Sequence, residues 1–256
     1  MGKVFLVGAG PGDPELLTVK AVRILTRASV VLYDSLVSEE VLSLVSPAAE
    51  RVDVGKRCGR KLLTQDEINS LLVCYAADHE IIVRLKGGDP LIFGRAGEEI
   101  QALREAKVEF EIVPGITAAL GAAAAAGISL TDRRVASQVL FTTFSRSVDS
   151  NSMDWSTVNS TTTLVVYMPG PDYSEVSRWL QDGGLPADLP CALISKATTA
   201  QQQICYTNVS SLAHERKLAA PALLLVGRVA AHRAQELAEH FWPGVGRERV
   251  FYKEVS

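Results

Sequence analysis

Two glycine-rich loops, each placed directly after an apolar run, carry the residue types best suited to chemistry. The first, Gly8-Ala-Gly-Pro-Gly-Asp-Pro14, follows the short β-type run 3–7, and the second, Lys86-Gly-Gly-Asp-Pro90, follows residues 80–85. Paired glycines after a parallel strand let a ligand approach the backbone at the carboxyl end of a sheet. In the second loop Asp89 offers a carboxylate to ribose hydroxyls or an amino group, and Pro90 stiffens the turn. The same residues are also ordinary turn chemistry. The first loop invites a dinucleotide reading, because Asp34 closes the next apolar run 22 residues after Gly12, where an acid would bind a ribose hydroxyl. That fingerprint breaks at its third glycine position, held by Asp13, whose carboxylate would repel a pyrophosphate. Pro11 and Pro14 also remove two backbone donors from a phosphate cradle.

These loops need a scaffold, and the hydrophobic pattern supplies one. Residues 3–7, a helical pattern through Leu16, Leu17, Ala21, Ile24 and Leu25, and the apolar run 29–33 make a βαβ unit with parallel pairing. Helices are expected at 38–44, 66–77 and 97–105, and strands at 80–85 and 110–113. The second half repeats the alternation, with strands at 139–143, 163–168, 190–195 and 222–226 and its best helix at 173–181. Between them, 142–163 is rich in Ser and Thr and reads as exposed loop around a short helix at Trp155. The uncharged stretch 112–131 is interrupted by Pro114, Gly115, Gly121 and Gly127, and its alanine body reads as a close-packed internal helix, not a membrane span. The expected organisation is therefore two α/β domains, 1–114 and 115–242, followed by a tail at 243–256.

Composition narrows the function. The chain has 256 residues, 47% hydrophobic and 21% charged, with a net charge of −3. Disorder is excluded by that apolar content, and general nucleic-acid binding is disfavoured by the absence of a basic excess. No signal peptide is visible near Lys3. The cysteines Cys58, Cys74, Cys191 and Cys205 form no CxxC pair, so the expectation is reduced thiols in a cytoplasmic protein, with no metal and no membrane partner.

Several motifs in register resemble the S-adenosyl-L-methionine-dependent tetrapyrrole methylases of the uroporphyrinogen-III C-methyltransferase type. They are the first loop, Tyr33-Asp34, Gly55-Lys56-Arg57, Leu85-Lys-Gly-Gly-Asp-Pro90, Phe93-Gly-Arg95, Val113-Pro-Gly-Ile-Thr117 and Tyr167-Met168. The resemblance implies two α/β domains of the tetrapyrrole methylase type with the cofactor in the cleft between them, in a homodimer. It implies methylation of two pyrrole ring carbons of uroporphyrinogen III to give precorrin-2, with S-adenosyl-L-homocysteine as the other product. Its cofactor-contact positions fall on Pro11, Gly87, Gly88, Asp89, Ile92, Thr117, Ala118, Met168 and Ala197. Its proton acceptor and donor fall on Asp34 and Lys56.

A substrate rich in carboxylates calls for guanidinium and ammonium groups. The densest basic run is Arg51, Lys56, Arg57, Arg60 and Lys61; Arg84, Lys86 and Arg95 flank the second loop, and Arg133-Arg134 begins the second half. Of these, Arg95, oriented by Glu98 one turn later, and Arg133 are the residues expected to hold the anionic tetrapyrrole. The chain departs from the family in two places. Thr143-Phe144-Ser145 stands where Thr-Gly-His is usual, and Asp132 where a histidine is frequent. A related methyltransferase with another tetrapyrrole or other acceptor is the alternative these departures keep open, beside a binding module without turnover.

Overall fold

The computed structural model describes residues 1–55, 63–144 and 153–231, together with the backbone of Phe251–Tyr252. The expectations placed on Lys56, Arg57, Cys58, Arg60, Lys61 and Ser145 lie outside the described residues. The chain divides into two compact units, Met1–Ala118 and Ala119–Ser256, so the division falls four residues beyond the expected 114.

The first unit contains β1 (Lys3–Gly8), α1 (Val19–Leu25), β2 (Val30–Tyr33), α2 (Glu39–Leu42), β3 (Glu50–Asp53), α3 (Gln65–Asp78), β4 (Ile81–Lys86), α4 (Ala96–Glu105) and β5 (Glu109–Val113). Its five strands are all parallel, in the order β3-β2-β4-β1-β5. Alternation along the strands sends neighbouring side chains to opposite faces. Val7, Val31, Val83 and Leu85 pack with Ala21 and Leu25 of α1 and Val41 and Leu42 of α2. On the other face Val4, Leu6, Val30, Leu32 and Ile82 pack with Ile68 and Leu72 of α3 and Leu103 of α4. Helix starts are fixed locally: Thr18 and Ser38 accept from Ala21 N–H and Val41 N–H, and Thr64 forms a capping box with Glu67.

The strand at Glu50–Asp53 was not expected. Its sequence, Glu-Arg-Val-Asp, is mostly charged, which an edge strand tolerates because one side faces solvent. Pairing with β2, Val30 opposite Glu50 through Tyr33 opposite Asp53, makes it a strand.

The helix α5 (Ala118–Ala125) straddles the division, with all but its first residue in the second unit. That unit contains β6 (Gln138–Thr143), β7 (Thr162–Tyr167), α6 (Tyr173–Asp182), β8 (Pro190–Ser195), β9 (Gln203–Asn208), β10 (Ala222–Val226) and the short β11 (Phe251–Tyr252). The sheet order is β11-β9-β8-β10-β7-β6. Only β6 and β7 run parallel; the other neighbours are antiparallel. The core of this unit lies on the α6 face, where Val176 and Leu180 meet Leu164, Val166, Leu193 and Leu224. Within the expected tail, β11 pairs with β9. Among the described residues no helix is long and apolar enough to cross a membrane.

Candidate active site

Strand order in the first sheet forces the two glycine loops together. The chain leaving β1 travels toward β2, and the chain leaving β4 travels toward β5. Because β4 and β1 are neighbours in the order β3-β2-β4-β1-β5, these connections cross between their carboxyl ends. They cross in contact: Gly88 N–H donates to Gly10 O at 2.7 Å and Gly10 N–H to Gly88 O at 3.1 Å. Both glycines have left-handed backbones, with φ of +68° at Gly88 and +70° at Gly10. Gly115, just past β5, closes the group. A Cβ there would stand 2.4 Å from Gly88 O, and one on Gly8 would stand 2.6 Å from Gly115 Cα. Three loops therefore meet backbone to backbone, with no room for side chains.

The structure gives Asp89 a further task. Its Oδ1 accepts from Leu91 N–H at 2.8 Å and its Oδ2 from Gly115 N–H at 3.0 Å, tying the β4 loop to the β5 loop. Each carboxylate oxygen keeps lone-pair capacity for another donor. Pro11, Gly87, Gly88 and Asp89 share this edge with Thr117 and Ala118. The Ala118 nitrogen and Thr117 Cα lie 3.3 and 3.8 Å from where a Gly88 Cβ would sit. Ile92, half-buried, begins the return toward α4 with its N–H on Asp89 O at 3.3 Å. Asp13 caps the one-turn helix Pro14–Leu16 by accepting from Glu15 N–H at 2.8 Å. That use explains a carboxylate where a dinucleotide fold needs glycine.

Asp34 lies at the end of β2. Its Oδ1 accepts from Leu36 N–H at 3.0 Å and its Oδ2 from Gly87 N–H at 3.4 Å, while Arg84 Nη2 stands 4.0 Å from Oδ2. Arg84 and Lys86, expected to flank the loop as substrate cations, are instead buried, at 4% and 3% exposure. They occupy even positions of β4, as Ile82 does, and so point to the α3/α4 face. There both engage the fully buried Glu99, from Arg84 Nε at 3.0 Å and Lys86 Nζ at 2.8 Å. Burial, followed by the charge of Arg84, lowers the Lys86 ammonium pKa, and Glu99 and Asp34 oppose that shift. Sequence reasoning missed Glu99 altogether. The available signal was an acid inside α4 whose helical neighbours Ala96 and Leu103 belong to the core.

Arg95 and Glu98 form the expected pair. Nε meets Oε1 at 2.7 Å and Nη2 meets Oε2 at 2.6 Å, with both side chains exposed. That hydrogen bond holds the Glu98 carboxyl below its ordinary range. Arg95 sits at φ +56° and Phe93 at +50°, conformations that non-glycine residues adopt at a cost and that concentrate at functional sites. In the second unit Arg133 is exposed, while Asp132, in the place of the family histidine, pairs with Arg134 at 2.6 Å.

The second unit gathers its own expected residues at one sheet edge. β6, β7 and β8 all point the same way, so Phe144, Met168 and Ala197 emerge at the same end. Met168 is 51% exposed at φ +52°, and Ala197 lies between Lys196 at +47° and Thr198 at +64°. Tyr167, just before Met168, accepts from Ala119 N–H at 3.2 Å and so holds the start of α5. Phe144 does not stand out from this edge. Its ring packs 5.3 Å from that of Trp179, which in turn meets Trp155 at 4.8 Å, against the α6 core.

Comparison with known proteins gives this architecture its class. The sequence matches the family described as Tetrapyrrole (Corrin/Porphyrin) Methylases over residues 3–213, and the chain belongs to that family. It is 48% identical over 231 residues to the siroheme synthase of Actinobacillus pleuropneumoniae serotype 7, a match covering 90% of this chain and 48% of that protein. The chain thus spans about half the length of such relatives. Among solved structures, it is similar to the uroporphyrin-III C-methyl transferase from Thermus thermophilus complexed with S-adenyl homocysteine. There the TM-score is 0.78 at 38% identity, covering 90% of this chain and 100% of that one. A cobalt precorrin-4 methyltransferase from cobalamin biosynthesis gives 0.75 at 28% identity, covering 89% and 95%.

Proposed function

We propose that the chain is a C-methyltransferase that converts uroporphyrinogen III to precorrin-2 with S-adenosyl-L-methionine, and that it works as a cytoplasmic homodimer. The contact of the three glycine loops carries this reading. It brings three loops together backbone to backbone at the carboxyl edge of a parallel sheet, in a chain similar over 90% of its length to a methyltransferase crystallised with the demethylated cofactor. The donor set fits that cofactor, combining backbone groups, a carboxylate and apolar contacts. Pro11, Gly87, Gly88, Asp89, Ile92, Thr117, Ala118, Met168 and Ala197 are proposed to hold it.

When bound, the cofactor supplies an electrophilic methyl group on a sulfonium. The chain's own residues align a nucleophilic pyrrole carbon with that group, which is where most of the rate arises. Carbon–carbon bond formation breaks the sulfur–methyl bond and leaves the macrocycle cationic. Asp34, fixed by two backbone N–H groups, is placed to stabilise that charge and to accept a proton, and Lys56 is proposed to return one. Arg95, held by Glu98, and Arg133 take the substrate carboxylates.

The test is anaerobic incubation with S-adenosyl-L-methionine and a panel of reduced tetrapyrroles, read by product mass. Addition of two methyl groups to uroporphyrinogen III is expected. Cofactor binding without that product refutes the assignment, and methylation of another panel member reassigns the acceptor.

A further inference from the structure

We propose that Glu99 is a positioning residue for methyl transfer, restraining Arg84 from behind so that the guanidinium faces Asp34 without closing on it. This inference rests on the proposed role of Asp34 as proton acceptor. Glu99 is 0% exposed and lies under the β4 loop with two buried cations. Apolar side chains of similar volume would often serve the fold as well or better, so the cluster calls for another reason. Its hydrogen bonding is lopsided. Oε1 accepts from Arg84 Nε at 3.0 Å, Lys86 Nζ at 2.8 Å and Gln65 Nε2 at 3.4 Å, whereas the buried Oε2 accepts from none. A carboxylate set for its own satisfaction would take a guanidinium across both oxygens.

The consequence falls on Arg84. Its Nε is held by Glu99, and its Nη1 donates to Leu32 O at 3.4 Å and Leu85 O at 3.1 Å. Only Nη2 is turned toward Asp34, at 4.0 Å from Oδ2, beyond hydrogen-bond range. An unrestrained guanidinium would close on that carboxylate in a bidentate pair and compete with the proton that Asp34 must take. The pull of Glu99 on Nε, together with the two carbonyls on Nη1, holds the charge near Asp34 while leaving Oδ2, which accepts only from Gly87 N–H among the described residues, clear of a guanidinium hydrogen bond. Lys86, whose Nζ donates to Oε1 at 2.8 Å, offsets the buried Glu99 charge.

Glu99→Gln keeps the shape and removes the pull. With uroporphyrinogen III and S-adenosyl-L-methionine, kcat per cofactor-binding site should fall roughly ten- to a hundredfold, the range that displacement of a reacting group produces. Cofactor affinity and KM for the macrocycle should stay within about threefold, because Glu99 touches neither ligand. A kcat within about threefold of wild type overturns the proposal, as does a loss that disappears once rates are normalised to calorimetric binding stoichiometry. Should Glu99→Gln not fold, Arg84→Lys decides. A lysine cannot hold Glu99 and face Asp34 together, so unchanged kcat in Arg84→Lys overturns the proposal, and an about tenfold loss with intact cofactor binding supports it. Turnover abolished in Asp34→Asn but retained in Glu99→Gln refutes this inference alone. A wild-type chain that methylates no tetrapyrrole refutes the functional reading with it.

Discussion

Gly88→Ala perturbs the loop crossing at one of its two left-handed glycines. The backbone there has φ +68°, and holding an L side chain in that region costs roughly 1–2 kcal/mol. The new Cβ would also lie 3.3 Å from the Ala118 nitrogen, so backbone at the start of α5 must yield by a few tenths of an ångström. A total near 2 kcal/mol lowers the melting temperature by about 4–8 °C, at about 2–4 °C per kcal/mol. If the cofactor rests on this backbone, its affinity should fall about tenfold or more, equivalent to roughly 1.4 kcal/mol of lost binding. Thermal melts and calorimetric titration with S-adenosyl-L-methionine read the two effects separately. Gly97→Ala is the matched control: a Cβ on Gly97 meets nothing within 4 Å, and Gly97 lies inside α4. Its replacement should stabilise the chain by about 0.5–1 kcal/mol. A folded Gly88→Ala protein with unchanged cofactor affinity would refute the placement of the cofactor, and an unchanged melting temperature would refute the strain argument.

Three further outcomes are expected. Arg95→Ala should raise KM for the tetrapyrrole at least about tenfold while leaving cofactor affinity within about threefold, because its proposed partner is a substrate carboxylate; lost cofactor binding would assign Arg95 to the other ligand. Phe144→Ala should destabilise the chain by about 1–3 kcal/mol, by loss of burial and of the contact with Trp179, without changing which tetrapyrrole is methylated; a changed product would show that the ring governs the acceptor. Tyr75 donates to Glu50 at 2.7 Å, and that bond, with burial, pushes its phenol up to about 12 from 10.0. Its folded pKa is raised, so the stability it confers over Tyr75→Phe should be fully present below pH 10 and lost as the pH rises through about 12. Equal melting temperatures of the two proteins at pH 8 and pH 12 would refute this.

What the sequence determines by itself is local. Runs such as Ile81–Lys86 and Ala222–Val226 read as strands because buried strands need apolar side chains on both faces. Thr18, Ser38 and Thr64 start helices because their hydroxyls satisfy backbone N–H groups within three residues. The glycine loops, Asp34 and the Arg95–Glu98 pair were legible for the same reason, as each depends on near neighbours or on motifs in register. Tertiary structure decided what depends on distant partners. Gln203–Asn208 became a strand through pairing with β8, and most of the second sheet proved antiparallel, because strand direction is set by neighbours far along the chain. Phe144, adjacent to an expected binding edge, turned onto Trp179 of α6. Arg84 and Lys86 sit beside a ligand-type loop, where cations read as facing the substrate. The parity of β4 and the docking of α4 instead drew both onto Glu99. A side chain's neighbours along the sequence limit its backbone, but only sheet order and helix packing select the charge it meets.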